Sequence, residues 1–553
     1  MAIAFLVILP FFFLGNPSGH DFEFHVNSWM EVLQQWRQGI VYPRWAAWAH
    51  YGYGEARFVF YPPLSWMLGA ALGALLPWRA VPGAFVWLAL TLSGCSMFLL
   101  AQRWLPRRDA LFAAALYAAN PYYLVIVYWR SAFAELLAGA LLPLLLLCVL
   151  RAEQEGRKAI APLSLIVAAA WLTNAPAAVM VTYSLALLAV VVALARRSPR
   201  VLLWAGLAVL LGMGLAAFYV FPAAYEQKWV NISEVLAPGV RPQDNFLFTL
   251  INDPDHNRFN LLVSLVAAAE MVLLAGAVGL LRMSRLNSED RVYSPEGKAL
   301  RVALYAWAAA ATLLMFSGTF LAWRYLPQLR FLQLPWRWLL CLNVAFAILI
   351  SMAWRRWLPR LLLCCLMLVV IVLVWQRVQP PWWDTAADID EMRANIAKGV
   401  GHEGTDEYVP AGVDPYEIKQ DAPRVTLEGD GEARINIQQW DPEAKSFSAD
   451  VTAPGKLVLR LFDYPAWKAE VNGHPVAAET REITGQMMIP VTAGKNRVQL
   501  TFIRTWDRTA GGVISMLAIV VLLAGFLIRR TKPSDRNWSL ARLYSVSSVS
   551  SVV

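Results

Sequence analysis

The chain reads LLLCCLMLVVIVLV from Leu361 to Val374, and it turns polar from Gln376 onward. The apolar run contains no charged residue. A helix that crosses the hydrocarbon core of a bilayer needs roughly 20 mostly apolar residues, because unpaired backbone groups are costly there. We therefore interpret Leu361–Val374 as the core of a membrane span that leads into a water-exposed segment.

Composition extends this interpretation to the whole chain. Of the 553 residues, 58% are hydrophobic and 16% are charged, whereas soluble domains have about 45–50% apolar and about 25% charged residues. The sequence predicts a polytopic α-helical membrane protein with about twelve spans. The predicted spans lie near Ala2–Leu14, Val81–Leu100, Leu111–Tyr128, Ala132–Leu150, Ile160–Leu172, Ala177–Leu194, Val201–Tyr219, Phe259–Leu281, Leu300–Phe316, Trp338–Met352, Leu361–Val374 and Gly511–Ile528.

Basic residues orient these helices. The net charge is +9, but the segment Gln376–Arg508 holds 15 Lys and Arg against 21 Asp and Glu, which leaves an excess of +15 elsewhere. Because short cytoplasmic loops attract Lys and Arg, this excess indicates topology and not a nucleic-acid partner. We place the following basic clusters on the cytoplasmic side: Arg103–Arg108, Arg151–Lys158, Arg196–Arg200, Arg282–Arg301, Arg355–Arg360 and Arg529–Lys532.

The outer side then receives the first loop, residues 15–63, and several later turns. All six histidines of the chain fall in these outer segments, which points to an outward-facing site. We divide the chain into a membrane domain (1–375), a mostly-β outer domain (376–509), a last span (510–528) and a cytoplasmic tail (529–553). A further apolar stretch, Leu64–Leu76, is short for a span, and it is either a half-helix at the outer surface or a tilted span.

The outer domain alternates polar and apolar residues in short runs separated by turn signals such as Asn472-Gly473. Six or more short strands with this spacing predict a small β-sandwich. The predicted strands are Arg434–Gln438, Ser446–Val451, Lys456–Phe462, Trp467–Val471, Met487–Val491 and Arg497–Ile503.

The first loop holds the most informative residues. Asp21 and His25 would share one helix face with Trp29, and a carboxylate beside aromatic rings suits a site that takes a proton from a sugar hydroxyl. Asp21 is our candidate base, and the alternative is that it caps the helix that follows. A second alternative is a divalent cation held by Asp21, Glu23 and His25, whose oxygen and imidazole donors suit metal ions.

Ionisable residues at other outer turns suggest further site residues. Arg130 and Glu135 flank one turn at membrane depth, where charge is expensive. Arg130 is a candidate for binding phosphate and Glu135 for a second catalytic carboxylate, although the two would equally form an internal ion pair. Arg337, next to Trp336, suits a lipid phosphate beneath an aromatic belt. We include these further candidates for substrate binding: His20, Arg44, Tyr61, Tyr225 and Glu226.

These motifs together resemble a known family. The motifs are His20-Asp21 with His25, Tyr42-Pro43-Arg44-Trp45, Phe60-Tyr61-Pro62-Pro63-Leu64, Arg130 with Glu135, Tyr225-Glu226, Leu334-Pro335-Trp336-Arg337, and Glu403-Gly404-Thr405 with Glu407-Tyr408 and Pro410. Their order resembles the bacterial membrane family labelled pyruvoyl-tetrahydropterin-synthase-related, which is similar to the C-type (GT-C) glycosyltransferases. That superfamily includes the oligosaccharyltransferases, the protein mannosyltransferases and the lipid A aminoarabinose transferase.

The resemblance implies a sugar donor linked to polyprenyl phosphate, an acidic residue in the first outer loop, and transfer outside the bacterial cytoplasmic membrane. Asp21 matches that acidic position, and Glu135 matches a second acidic position by placement only. Asn174 stands where a histidine would be expected in relatives, which puts any histidine role there in doubt.

Our leading hypothesis is an inverting sugar transfer to a glycan, lipid or protein acceptor. Asp21 would act as the base, while Arg130 and Arg337 would stabilise the departing phosphate. Two alternatives use the same residues differently. The first is a transporter or flippase for a lipid-linked glycan, although transporters commonly place ionisable groups nearer the bilayer midplane. The second is a scaffold of an envelope-polysaccharide system, which would not need charges at membrane depth.

Overall fold

The computed structural model describes residues 1–283, 295–377 and 382–531. The predicted tail beyond Thr531 and part of the basic cluster Arg282–Arg301 lie outside these residues. Long apolar helices predominate, because each apolar run satisfies its own backbone hydrogen bonds within a helix. The helices are α1 Ala2–Ile8, α2 Phe11–Leu14, α3 Phe22–Arg37, α4 Ala49–Gly52, α5 Arg57–Phe60, α6 Pro63–Leu75, α7 Val81–Ala101, α8 Arg107–Ala118, α9 Pro121–Val125, α10 Phe133–Ala138, α11 Leu141–Glu155, α12 Ile160–Thr173, α13 Ala175–Arg196, α14 Arg200–Leu215, α15 Ala217–Glu226, α16 Pro254–Met283, α17 Pro295–Leu314, α18 Phe320–Tyr325, α19 Leu339–Ala353, α20 Trp357–Arg377, α21 Ala386–Lys398 and α22 Trp506–Thr531.

The helices confirm a polytopic membrane protein but do not confirm about twelve spans. Within the described residues, 8 helical stretches are long and apolar enough to cross a membrane, and up to 10 if each of two bent pairs counts as one span. Part of the difference lies in short helices. The helix α12, for example, has 14 residues and is about 21 Å long, shorter than the roughly 30 Å hydrocarbon core.

One of the bent pairs is held by the last helix. The helices α14 and α15 meet at an angle of 75°, and the Ser515 hydroxyl of α22 binds at the break. It accepts a hydrogen bond from the Phe218 amide (2.8 Å) and lies 3.0 Å from the Gly214 carbonyl. A Cβ atom at Gly511 would stand 2.5 Å from the Ala217 carbonyl oxygen. The glycine thus lets α22 pack directly against the bend.

Contacts between loops agree with the predicted two-sided arrangement. Arg360 and Asp109 form an ion pair of 2.7 Å, which joins the starts of α20 and α8, two segments predicted to be cytoplasmic. At the other end, strand β1 (Asn16–Pro17) of the first loop pairs with strand β2 (Trp383–Asp384) at the start of the outer domain. Segments that are predicted to lie on the same side of the membrane therefore contact one another.

The C-terminal domain is a β-sandwich, as predicted, with all six predicted strands present. A four-stranded antiparallel sheet has the order β3-β6-β10-β9, and a five-stranded one has the order β4-β5-β11-β7-β8. Their apolar faces share one core. The strands are β3 Val425–Glu428, β4 Ala433–Trp440, β5 Ala444–Val451, β6 Gly455–Phe462, β7 Trp467–Val471, β8 His474–Val476, β9 Glu479–Thr480, β10 Gln486–Val491 and β11 Gly494–Phe502.

The first loop packs between the sandwich and the membrane helices. Trp45 is buried and contacts the rings of Trp467 and Phe502, with centroid distances of 5.9 Å and 5.6 Å. The Tyr53 hydroxyl donates to the Lys419 carbonyl at 2.9 Å. The loop and the sandwich therefore form a single hydrophobic cluster, which holds the loop against the sandwich.

Candidate functional site

The start of the first loop lies directly on the turn that carries Arg130. The Asp21 amide donates to the Arg130 carbonyl at 2.8 Å, and the Gly19 amide donates to the Ser131 hydroxyl at 3.0 Å. A Cβ atom at Gly19 would lie 2.5 Å from the Trp129 carbonyl oxygen. Only glycine therefore permits this approach, and the approach brings Asp21 to Arg130.

The turn itself departs from α-helical geometry. Residues 126–130 form a π-helical turn, and Ser131 follows with a left-handed φ of 51°. Single π-helical turns occur often at functional sites. Here the turn ends one helix at Arg130 and allows the next, α10, to begin at Phe133 with Glu135 in its first turn.

Glu135 is buried and holds three donors. Its Oε2 atom accepts from Arg130 Nη1 at 2.5 Å and from Arg337 Nε at 3.0 Å. Its Oε1 atom accepts from the Tyr122 hydroxyl at 2.5 Å. The Arg337 guanidinium is held further by the Leu332 carbonyl at 2.6 Å. The Arg130–Glu135 ion pair considered from the sequence is thus formed, and Arg337 joins it.

Asp21 completes what we call the outer cluster, which consists of Asp21, Arg130, Glu135 and Arg337. Its Oδ2 atom lies 3.9 Å from Arg130 Nη2, and its side chain is 30% exposed. Asp21 stands at the N-cap position of α3, but its side chain caps none of the first-turn amides in the described chain. The carboxylate is instead directed to Arg130 and to His20, whose Nδ1 atom is 2.6 Å away.

The charges around Asp21 keep it ionised. Burial opposes ionisation, but the hydrogen bond from His20 and the charge of Arg130 outweigh it and hold the pKa of Asp21 well below its usual range. The same hydrogen bond, together with the charge of Asp21, raises the pKa of His20. A partly exposed, ionised carboxylate therefore stands beside Arg130.

Aromatic rings border the outer cluster. Trp336 lies under Arg130, with 5.0 Å from the guanidinium carbon to the ring centroid. His25 is buried among rings that include Tyr61 (5.7 Å) and Phe133 (5.3 Å). Burial lowers the pKa of His25 to about 4, so it is neutral at physiological pH. These mostly buried rings give the outer cluster an apolar surrounding.

The alternative of a metal site on Asp21, Glu23 and His25 does not match the geometry. Glu23 is exposed on α3, whereas His25 is buried among aromatic rings. In the described ranges, no group of three or more His, Cys, Asp or Glu side chains is placed to hold a metal ion. Glu23 lies two positions from both Asp21 and His25, which on a helix turns its side chain to the opposite face.

Arg44, Tyr225 and Glu226 lie in a different place from the one we expected. The Glu226 carboxylate accepts hydrogen bonds from Arg508 Nε (2.7 Å), from Arg508 Nη2 (2.8 Å) and from the Tyr464 hydroxyl (2.5 Å). We call Glu226, Tyr464 and Arg508 the junction cluster, since it joins α15 to the sandwich and α22. Tyr225 contacts Lys228, whose Nζ atom is 3.8 Å from its ring centroid.

A second buried network contains residues that our sequence reasoning did not assign to the site. Glu55 is fully buried and accepts from Arg57 Nε at 2.5 Å and from the Thr405 amide at 2.9 Å. Burial opposes its ionisation, yet the charge of Arg57 and the bond to His50 lower the pKa of Glu55 to about 2. The sequence feature that could have indicated this network is the motif Glu403-Gly404-Thr405. It follows β2 in sequence, and its Thr405 contacts Glu55 of the first loop.

Glu407 is the other residue that we did not assign. Burial first, and then the charges of Glu55 and Asp406, raise its pKa to about 7. Its charge in turn acts on His20, which places it near the outer cluster. A carboxyl group with a pKa near neutrality, close enough for its charge to act on His20, is a candidate acid or base.

Asn174 has a structural role at the position where a histidine was expected. Its side-chain oxygen accepts from the Ala177 amide at 2.9 Å and caps α13. Asparagine is among the preferred N-cap residues. The substitution therefore maintains the helix start, and the position supplies no imidazole to the site.

Comparison with known families gives one match over most of the membrane domain. The family model described as "6-pyruvoyl-tetrahydropterin synthase related domain; membrane protein" matches residues 58–379. Arg130, Glu135 and Arg337 lie inside the matched region, and Asp21 precedes it. None of the curated proteins is similar enough in sequence to count as a match.

Solved structures that are similar in part include ArnT from Cupriavidus metallidurans bound to undecaprenyl phosphate. It shares 14% identity and a TM-score of 0.43, over 72% of this chain and 75% of that chain. The oligosaccharyltransferase from Archaeoglobus fulgidus, in its apo form, shares 14% identity and a TM-score of 0.35, over 73% of this chain and 56% of its own length. These values describe a coarse likeness in the arrangement of helices and carry no conclusion about chemistry.

Proposed function

Because the chain belongs to the family of membrane proteins described as 6-pyruvoyl-tetrahydropterin synthase related, we propose a function at the membrane surface. The proposed reaction is the transfer of a sugar from a polyprenyl-phosphate donor to a hydroxyl group of a glycan, lipid or protein acceptor. It would take place on the outer side of the bacterial cytoplasmic membrane. One observation carries the proposal: an accessible carboxylate, Asp21, lies 3.9 Å from an arginine of a buried two-arginine cluster.

Each group of the outer cluster has a task in this reaction. Asp21 takes the proton from the acceptor hydroxyl, whose oxygen then attacks the anomeric carbon from the side opposite the phosphate. The bond between that carbon and the phosphate oxygen breaks, and its electron pair leaves with the polyprenyl phosphate. Attack from the opposite side inverts the anomeric configuration. No nucleotide is needed, because the donor is carried by the lipid.

The two arginines favour the departing phosphate. A guanidinium has five N–H donors, and Glu135 takes one hydrogen bond from Arg130 and one from Arg337. Donors directed at a developing phosphate charge stabilise it more strongly in a water-poor site than in bulk water. The two arginines are therefore both the binding site for the phosphate and the stabilising groups for its departure.

Glu135 acts as a positioning residue. It is buried and ion-paired with Arg130 and Arg337, so we assign it no role as a proton acceptor. Its charge makes the burial of two arginines tolerable and fixes their orientation. This revises our expectation of a second catalytic carboxylate at Glu135, and Glu407 takes that place as the candidate second acid or base.

Asp21 gains basicity when the donor binds. In the free protein, Arg130 and His20 lower its pKa, and a strongly acidic group is a weak base. A phosphate that engages Arg130 weakens the field of that arginine at Asp21, because opposite charges offset each other. Donor binding and proton acceptance are thereby coupled.

The test is sugar transfer from an undecaprenyl-phosphate donor by the purified full chain. We expect Asp21→Asn to lower the rate by about 10²–10⁴-fold, the usual loss for a general base. The matched control is Asp255→Asn, which changes an exposed aspartate of the same outer side whose side chain is 89% exposed. The control should transfer sugar at the rate of the wild type.

Two results would overturn the proposal. Transfer by Asp21→Asn at the wild-type rate would remove Asp21 as the base. Failure of the wild type to transfer sugar from any polyprenyl-phosphate donor, together with movement of lipid-linked glycans across vesicle membranes, would support a transporter or flippase.

A further inference from the structure

A separate cavity of about 340 Å³ lies where the sandwich meets α15 and α22. Its size falls within the range of small-molecule sites, about 300–1,000 Å³. Tyr42 and Arg44 of the first loop line one side, and Phe218 of α15 lines the side toward the membrane helices. Phe218 stands at the 75° bend between α14 and α15, so the cavity adjoins the level at which a spanning helix changes direction.

Positive charge dominates the lining. Arg44, Arg504 and Arg508 face the cavity, against a single carboxylate, Glu443. Glu226 neutralises Arg508 through two hydrogen bonds of 2.7 Å and 2.8 Å. Arg44 and Arg504 remain opposite Glu443, which leaves an excess of one positive charge. The cavity is therefore suited to an anion.

Two hydrogen-bond donors in this lining have no partner among the described residues. They are the Tyr42 hydroxyl and Arg44 Nη1, and both atoms are buried. Buried polar groups in folded proteins are nearly always hydrogen-bonded, because an unpaired one costs about 1–3 kcal/mol. Both belong to side chains that line the cavity, and an acceptor that reached these atoms would complete their hydrogen bonds.

The arginines also repel one another when the cavity is empty. Burial first, and then the charges of Arg508 and Arg504, lower the pKa of Arg44. A phosphoryl group would relieve this repulsion and would accept hydrogen bonds from more than one guanidinium at once.

We propose that this cavity binds the phosphate headgroup of an anionic lipid, through Arg44, Arg504 and the Tyr42 hydroxyl. The phenyl ring of Phe218 and the adjoining spanning helices would contact the acyl chains. The site is separate from the outer cluster, and the proposal stands whether or not the chain transfers sugars. A lipid headgroup and free phosphate share this chemistry, so the experiment must separate them.

The experiment is native mass spectrometry of the detergent-solubilised full chain with dioctanoyl phosphatidylglycerol. Zwitterionic dioctanoyl phosphatidylcholine and sodium phosphate are the comparison ligands. We expect Arg44→Gln and Arg504→Gln each to weaken phosphatidylglycerol binding by roughly tenfold, the loss of one charge-assisted contact. The matched control, Arg434→Gln, changes an exposed arginine of β4 and should bind like the wild type.

Weaker binding by both variants, with little binding of phosphatidylcholine, would support the site. If sodium phosphate displaces phosphatidylglycerol at equal concentration, the ligand is free phosphate; if it does not, the ligand is the lipid. Wild-type affinity in both variants, or equal affinity for phosphatidylcholine, would overturn the proposal. If Arg44→Gln does not give folded protein, the affinity of Arg504→Gln decides alone.

Discussion

The outer cluster and the junction cluster are built on the same motif, a buried glutamate that accepts hydrogen bonds from arginine and tyrosine. In the junction cluster, Glu226 is fully buried and both of its oxygens are occupied by Arg508 and Tyr464. In the outer cluster, Glu135 is occupied in the same way, but a further carboxylate, Asp21, stands beside it and is 30% exposed.

This difference distinguishes a carboxylate with a structural role from one that can react. A fully buried carboxylate whose two oxygens accept hydrogen bonds from the protein holds structural elements together and presents no accessible oxygen to a substrate. A carboxylate that is ionised, partly exposed and 3.9 Å from an arginine has oxygen atoms that a substrate can reach. We therefore expect substitutions in the junction cluster to change stability and substitutions at Asp21 to change turnover.

The largest predicted effect on stability is that of Arg508→Ala. Removal of this guanidinium leaves the buried Glu226 carboxylate without its charged partner, and breaking such a pair typically costs about 3–5 kcal/mol. The melting temperature of the purified chain measures the loss. Arg497→Ala, at an exposed position on β11, is the control. Equal melting temperatures for both variants would show that the junction cluster does not stabilise the fold.

A smaller effect is predicted for Arg337→Ala in the outer cluster. Arg130 still pairs with Glu135, so the chain should fold, but one of the two phosphate-binding arginines is lost. The affinity for undecaprenyl phosphate should fall by roughly tenfold or more. The exposed arginine of the outer side that pairs with Asp255, changed in Arg258→Ala, serves as the control. Unchanged affinity in Arg337→Ala would place the phosphate elsewhere.

The smallest predicted effect is a pH dependence due to Glu407. Burial and the neighbouring Glu55 and Asp406 raise its pKa from 4.5 to about 7, while Arg57 lowers it. Between these two pH values the folded chain keeps a proton that the unfolded chain releases, so this contribution to stability is lost as pH rises.

Glu407→Gln should therefore melt at a higher temperature than the wild type at pH 8, and the difference should vanish near pH 4. The control is Glu417→Gln, at an exposed position of the same segment. A difference between wild type and Glu407→Gln that does not change with pH would contradict the raised pKa.

Much of the fold could be predicted from local patterns. Apolar runs give helices because backbone groups must be satisfied in lipid, and alternating residues gave all six predicted strands. The number of spans could not be derived in the same way, because α12 and the two bent pairs depend on packing against neighbouring helices. A sequence pattern shows apolar length but does not show that Ser515 of α22 will hydrogen-bond the backbone at the bend between α14 and α15.

Only some residues of the candidate site could be selected from the sequence, because local patterns do not show contacts between distant segments. Asp21, Arg130, Glu135 and Arg337 could be selected one at a time, because charge at membrane depth is costly. The pairing of Glu226 with Arg508 could not be predicted, since the two are 282 residues apart in sequence, and a substrate-binding role for Glu226 stays a prediction. Glu407 was left out because only the folding of the outer domain onto the first loop buries it and changes its pKa.

The measurement that tests the central claim most directly compares Asp21→Asn with Glu135→Gln in two assays on the same purified proteins. The assays are the melting temperature and the rate of sugar transfer from an undecaprenyl-phosphate donor. We predict that Asp21→Asn loses about 10²–10⁴-fold in rate and changes its melting temperature by no more than about 2 °C. Glu135→Gln should lower the melting temperature, because two buried arginines lose their shared anion. A stable, inactive Glu135→Gln beside an active Asp21→Asn would contradict the account, because it would make Glu135 the reacting carboxylate and Asp21 a structural one.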